Sequence, residues 1–174
     1  YIFSKFRMFQ NATEKTTCIY WADDEVIKQY LGRIPATQQK TISFTQPEAS
    51  ALIKDQHIEF KDGTFDLTKA PIQGPHNAIN MSAAILAAKA VGISLSDIKS
   101  YIATFQNAPH RLEPCGNWHG ISFVNDSKAT NVDAVFYALN SFKQPIILIM
   151  GGVDKGNEYE VLDSLVDEKV KALI

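Results

Sequence analysis

The stretch GISFVNDSKATNVDAVFYALNSF, Gly120 to Phe142, with PIILIM, Pro145 to Met150, after it, decides the fold. Gly120 to Val124 is rich in β-branched and aromatic side chains and reads as a strand. Val132 to Phe142 reads as a helix. Pro145 to Met150 is an unbroken apolar run, expected to be a strand buried on both faces. Glu158 to Asp167 follows as another helix, and Lys171 opens another strand. Strand, helix, strand, helix, strand predicts an α/β fold with parallel strands joined by helical crossovers. The loops leaving Val124 and Met150 are then expected at the carboxyl ends of strands in one sheet. There they would face one crevice, where such sheets bind ligands.

Upstream, Asn107-Ala108-Pro109-His110-Arg111 breaks the pattern. A boundary here gives two domains, residues 1–107 and 108–174. Before it lie two helices, Asn77 to Val91 and Ser94 to Phe105. Gly92 stops the first, and Ser94 with Asp97 caps the second. Further back, Thr17 to Trp21 and Lys40 to Phe44 read as strands, and Asp23-Asp24 opens a helix from Glu25 to Tyr30. Ala51 to Lys54, His57 to Phe60 and Thr64 to Leu67 read as small antiparallel strands, with Asp62-Gly63 a turn signal between the last two. Ile2 to Phe9 reads as a helix already under way, with no cap before it. Val170 to Ile174 reads as a strand beginning, and residue 1 is Tyr. The chain is therefore expected to be a piece of a longer protein.

Composition narrows the class. Of 174 residues 45% are apolar and 21% charged, which is ordinary for a globular protein with a sizeable core. The net charge of -2 offers no basic surface for nucleic acid. No run approaches the ~18 apolar residues of a membrane span. Cys18 and Cys115 lack metal-ligand spacing and read as free thiols in a reducing compartment.

Four segments carry residues suited to chemistry. Asn125 to Asn131 offers a carboxylate, a cation and two hydroxyls ahead of a helix. Asp126 suits ribose hydroxyls and Lys128 a phosphate or carboxylate. Taken alone, the loop reads first as a polar cap, with Thr130 or Asn131 as the capping residue. Gly151 to Gly156 combines glycines, which admit a close backbone approach, with Lys155; its other reading is a plain strand-to-helix turn. Asn77 and Asn80, three apart on one helix face, suit the edge of adenine, while Asn77 alone suits a helix cap. Arg111 has the planar fork that grips phosphate, or it pairs with a carboxylate such as Glu113.

In order, the motifs are Gly-x-His-Asn-x-x-Asn at 74–80, His-Arg-x-Glu at 110–113, Asn-Asp-Ser-Lys-Ala-Thr-Asn at 125–131 and Gly-Gly-x-Asp-Lys-Gly at 151–156. Together they resemble the Mur ligase family along essentially the whole chain. The third motif resembles the branch that adds D-glutamate to UDP-N-acetylmuramoyl-L-alanine. Sister ligases and folylpolyglutamate synthases typically carry an Asp-Tyr/Gly-Ala-His-Asn-Pro-like loop there. The resemblance implies α-β-α layers. Residues 1–107 would be the later part of a central ATPase domain. Residues 108–174 would be the first part of a Rossmann-like C-terminal domain that binds D-glutamate. It implies ATP and Mg²⁺, and an acyl phosphate attacked by the amine of D-glutamate. Asn77 and Asn80 would contact adenine, Arg111 the phosphates and Asp126 the ribose. Lys128, Thr130 and Lys155 would line the acyl-phosphate and D-glutamate side, with Lys128 catalytic.

Ser4 to Asn11 resembles the family helix that carries a carbamylated lysine, with Lys5 in that place. Carbon dioxide would turn this cation into an anion able to ligate Mg²⁺. Nothing in the local physics singles Lys5 out. No Gly-x-x-x-x-Gly-Lys-Thr/Ser phosphate loop occurs in the sequence. The family places it upstream, so this chain alone is expected to be inactive. Other readings are a sister ligase, a folate-extending ligase, or a non-catalytic nucleotide-binding module.

Overall fold

The computed structural model describes residues 2–35, 37–70, 72, 74–102, 104–153 and 156–174. The chain separates into two compact units, Tyr1–Phe105 and Gln106–Ile174.

The first unit opens with helix α1 (Ile2–Phe6), continued by a 3₁₀ turn, Arg7–Phe9. Five residues are too few for a helix to hold itself. Aromatic packing supports it: Phe6 lies 5.9 Å from Tyr30 by ring centroids, and the Arg33 guanidinium sits 4.8 Å over Phe3. Strand β1 (Thr17–Trp21) leads to α2 (Glu25–Tyr30), capped by Asp24, whose side chain accepts the Ile27 N–H at 2.7 Å. Then follow β2 (Gln38–Ser43), β3 (Ala51–Ile53), β4 (His57–Phe60) and β5 (Gly63–Asp66). They form one sheet in the order β1-β2-β3-β4-β5. The β1–β2 and β2–β3 pairs are parallel, and the β3–β4 and β4–β5 pairs are antiparallel.

Helix α3 (Pro75–Ala90) packs on this sheet through Ala78, Met81, Ser82, Ile85 and Leu86. Their three- and four-residue spacing is the stripe of a helix with one buried face. Ser82, though buried, is satisfied by donating to the Ala78 carbonyl at 2.8 Å. Ile58 (0% exposed), Phe65 (2%) and Ile85 (1%) lie in the core cluster. Helix α4 (Leu95–Ile102) is capped by Ser94, whose Oγ accepts the Asp97 N–H at 3.1 Å. The β4–β5 turn is Lys61-Asp62, since Phe60 pairs with Gly63. Gly63 has φ 143°, and a Cβ there would meet Leu95 Cδ2 at 3.3 Å, so both backbone and packing favour glycine.

At the carboxyl ends of β1 and β2, Asp23 cross-links the two exits. Its Oδ1 accepts from Ser43 Oγ at 2.6 Å and Thr45 Oγ1 at 3.2 Å, and its Oδ2 accepts the Phe44 N–H at 2.7 Å. Burial pushes this carboxyl up, but the bonds from Ser43, Phe44 and Thr45 outweigh it and hold it below the usual range. A carboxylate depressed on folding contributes stability that is present above its unfolded pKa, about 3.9. That stability is lost as pH falls through the lower folded value. Asp23→Ala is expected to cost about 2 kcal/mol at pH 7 and to flatten the acid limb of the stability curve. Urea melts from pH 7 down to pH 2 measure both; a variant as acid-sensitive as the parent would refute the assignment.

The second unit begins with β6 (Glu113–Trp118) and β7 (Ile121–Asn125), an antiparallel hairpin turning at His119-Gly120. A bulge between Pro114 and Gly116 holds the exposed Cys115. Helix α5 (Val132–Ser141) follows, then β8 (Ile146–Leu148), a 3₁₀ turn at Glu160–Leu162, α6 (Asp163–Lys169) and β9 (Val170–Leu173). Strand β9 pairs parallel with β8. Leu139, Leu162 and Leu165 form the core, flanked by Val135, Phe136, Ile146 and Leu148. Lys169 Nζ donates to the Leu139 and Phe142 carbonyls at 3.2 Å, placing a cation at the C-terminal end of α5.

Several sequence expectations need correcting. Glu113 to Trp118 is a strand, and Gly120 belongs to the turn rather than to β7. Among the described residues β7 pairs with β6 and β8 with β9, so the loops after Val124 and Met150 do not leave one sheet. Nor is β8 buried on both faces. Ile146 and Leu148 face the core, but Ile147, pointing the other way as strand alternation requires, is 57% exposed. The three small strands β3, β4 and β5 pair antiparallel in succession, as read, and β3 joins them to β2 by a parallel pairing. No helix of the described residues is long and apolar enough to cross a membrane.

Candidate functional site

Two loops of the second unit meet. Residues 107–113 and 125–131 are distant in sequence, but the β6–β7 ladder brings their ends together, with Glu113 paired to Asn125. Hydrogen bonds from main-chain N–H groups then lace them. The Lys128 N–H donates to the His110 carbonyl at 3.1 Å, and the Leu112 N–H donates to Asp126 Oδ1 at 3.0 Å. His110 and Leu112 have φ of 66° and 42°, a region that L side chains rarely occupy. Such backbone persists only where its surroundings over-determine it, at about 1–3 kcal/mol each. The two strained residues flank Arg111, which lies just ahead of β6.

This arrangement brings Arg111, Asp126 and Lys128 onto joined loops. Arg111 and Lys128 are exposed, and neither makes an ion pair among the described residues. Asp126 is half-buried. Its Oδ1 is engaged by Leu112, and Oδ2 has no hydrogen-bond partner among the described residues. The site therefore presents two cations and one carboxylate oxygen, a set suited to phosphate and hydroxyl groups together. Thr130 is exposed just before α5, and the cap is Asn131, whose Oδ1 accepts the Ala134 N–H at 2.8 Å. The loop thus contains both readings, with Asn131 the cap and Asp126 and Lys128 left for other work. Arg111 does not pair with Glu113. Glu113 Oε2 instead accepts the His110 N–H at 2.8 Å and lies 3.4 Å from His110 Nδ1. His110, Glu113 and Asn125 are the residues whose joint role was not read from sequence. Their one signal was the three-residue step from His110 to Glu113.

In the first unit, Gly74, with φ 101°, is the N-cap of α3 and Pro75 its first residue. Pro at that position fits the missing donor. Asn77 therefore lies inside the first turn and is not the cap. Asn77 is half-buried and Asn80 exposed. Lys5 is exposed on α1. Lys155, with Asp154, lies outside the described residues. Gly151, Gly152 and Gly156 have open space where a Cβ would stand. Among the described residues no three His, Cys, Asp or Glu side chains gather as a metal site.

By fold, the chain has the architecture of solved amino-acid ligases. It superposes on MurF from Acinetobacter baumannii with a TM-score of 0.80, covering 99% of this chain and 45% of that one at 16% identity. It superposes on the MurF ligase of Thermotoga maritima, solved in complex with ADP, with a TM-score of 0.71 over 99% and 47% of the chains at 14% identity. The Mur ligase middle domain matches residues 1–88, half of the chain, and the chain belongs to the Mur ligase family. A relative from Cytophaga hutchinsonii, named UDP-N-acetylmuramoylalanine--D-glutamate ligase, is 42% identical over all of this chain. The chain spans about two fifths of the length of such curated relatives.

Proposed function

We propose that the chain is part of an ATP-dependent ligase that joins D-glutamate to UDP-N-acetylmuramoyl-L-alanine in peptidoglycan synthesis. The observation that carries this is the end-to-end identity of 42% with a relative of that name. Residues 1–107 would be the later part of its ATP-binding domain and 108–174 the first part of its D-glutamate-binding domain. ATP would phosphorylate the substrate carboxylate; the amine of D-glutamate would attack the acyl phosphate, and phosphate would leave. Such an enzyme works in the cytoplasm, where its ATP is made.

The chain's own groups have parts suited to this. Asn77 and Asn80 read the adenine edge, each amide donating and accepting together. Arg111 grips phosphate oxygens with its fork, and Asp126 Oδ2 accepts from a ribose hydroxyl. Lys128 neutralises charge growing on the acyl phosphate, with Thr130 and Lys155 beside D-glutamate. Mg²⁺, when bound, would neutralise the phosphates. Lys5, as its carbamate, offers one ligand toward it, and a full site would need further groups.

The test is phosphate release by the full-length protein with ATP and UDP-N-acetylmuramoyl-L-alanine. Turnover is expected with D-glutamate and not with L-glutamate, diaminopimelate or D-alanyl-D-alanine. Turnover that follows one of those instead would make it a sister ligase.

A further inference from the structure

Of the His-Arg-x-Glu motif the reaction above uses only Arg111; His110 and Glu113 have no part in it, and His110 makes the wider set of contacts. Its ring meets both residues of the last β6–β7 rung. Nδ1 is 2.9 Å from Asn125 Nδ2 and 3.4 Å from Glu113 Oε2. Asn125 Oδ1 is already used, accepting the Ser127 N–H at 3.0 Å, so the nitrogen end of the amide is the one turned toward the ring. That nitrogen can only donate. Two groups compete for Nδ1, and the nearer decides. Facing the Asn125 amide at 2.9 Å, Nδ1 is the acceptor and the ring proton sits on Nε2. The Glu113 oxygen, at 3.4 Å, is served by the His110 N–H at 2.8 Å. A doubly protonated ring would set two donors against each other. The main chain of the same residue reaches the same two loops. The His110 N–H donates to Glu113 Oε2 at 2.8 Å, and the His110 carbonyl accepts the Lys128 N–H at 3.1 Å. One residue thus holds Glu113, Asn125 and Lys128, and Arg111 is the next residue along.

We propose that His110 is a positioning residue. Its neutral, Nε2-protonated ring ties the Arg111 loop to the Asp126–Lys128 loop and sets the spacing between the groups that hold the nucleotide and the acyl phosphate. The tie stands on the hydrogen bonds above; what it positions rests on the ligase reading.

The test compares His110→Gly and His110→Asn in the full-length protein. Glycine removes the ring and accepts the positive φ without strain. Asparagine tolerates that φ and puts Oδ1 where Nδ1 stood, restoring the acceptor for Asn125. His110→Gly is expected to lower kcat about a hundredfold, the scale of a small misplacement of reacting groups, with melting temperature and KM for D-glutamate near the parent's. His110→Asn is expected to recover most of the loss. A His110→Gly enzyme with parental kcat, or a His110→Asn enzyme no better than it, overturns the proposal. Imidazole nitrogen NMR of the unsubstituted protein is the second measurement: a proton on Nε2 supports the tie, and a proton on Nδ1 overturns it. If the unsubstituted enzyme shows no D-glutamate-dependent turnover while its ring carries the Nε2 proton, the ligase reading fails and the tie remains.

Discussion

Replacing Lys128 with Met in the full-length protein is expected to lower D-glutamate-dependent turnover about 10²–10³-fold, the scale of removing one preorganised group that stabilises developing charge. The fold should be untouched. Among the described residues only the main chain of Lys128 is engaged, its N–H with the His110 carbonyl at 3.1 Å and its carbonyl with the Thr130 N–H at 2.9 Å. Methionine keeps those bonds and much of the side-chain length while removing the charge. Steady-state kinetics and a thermal melt separate the outcomes. Unchanged kcat would return the loop to the role of a cap. A collapsed melting temperature would show that the lysine was structural.

Phe65→Ala is expected to cost about 3–5 kcal/mol of the first unit's stability, the range for truncating a buried phenylalanine. Phe65 is 2% exposed on β5, in the cluster with Ile58, Met81 and Ile85. Small domains have only about 5–15 kcal/mol in hand, so most of the margin would go. The sequence supplies a reporter, because one of its two tryptophans, Trp21, lies in this unit and the other, Trp118, in the second. Urea melts followed by Trp21 fluorescence in a Trp118→Phe background would read the loss. A shift below about 1 kcal/mol would mean that the site collapses around the smaller side chain, as some cores do.

Much of the first unit was legible because its signals are local. Thr17 to Trp21, the Asp24 cap, the Ser94 cap and the turn beside Gly63 all depend on neighbours a few residues away. Strand β6 was not legible, because Pro114 and Gly116 argue against a strand. The hairpin accommodates both around its bulge. That omission caused the larger error. Without β6, β7 had no partner nearby and was assigned to the sheet of β8. The motifs at 110–113 and 125–131 were visible as separate segments. Their joining by Leu112–Asp126 and His110–Lys128 bonds is a long-range pairing that spacing does not encode. Lys5 was singled out by family resemblance alone, since an exposed helix lysine has no physical mark.

The two thiols make the chain its own labelling scaffold. Cys18 is 3% exposed on β1, and burial pushes its thiol up, away from the reactive thiolate. Cys115 is exposed at the hairpin bulge, its Sγ donating to the Glu113 carbonyl at 3.4 Å. A maleimide fluorophore would therefore attach at one place without mutagenesis, beside the carboxylate that receives the His110 N–H. Its brightness would follow the coupling of the two loops in real time, as nucleotide or acidic amino acid is added.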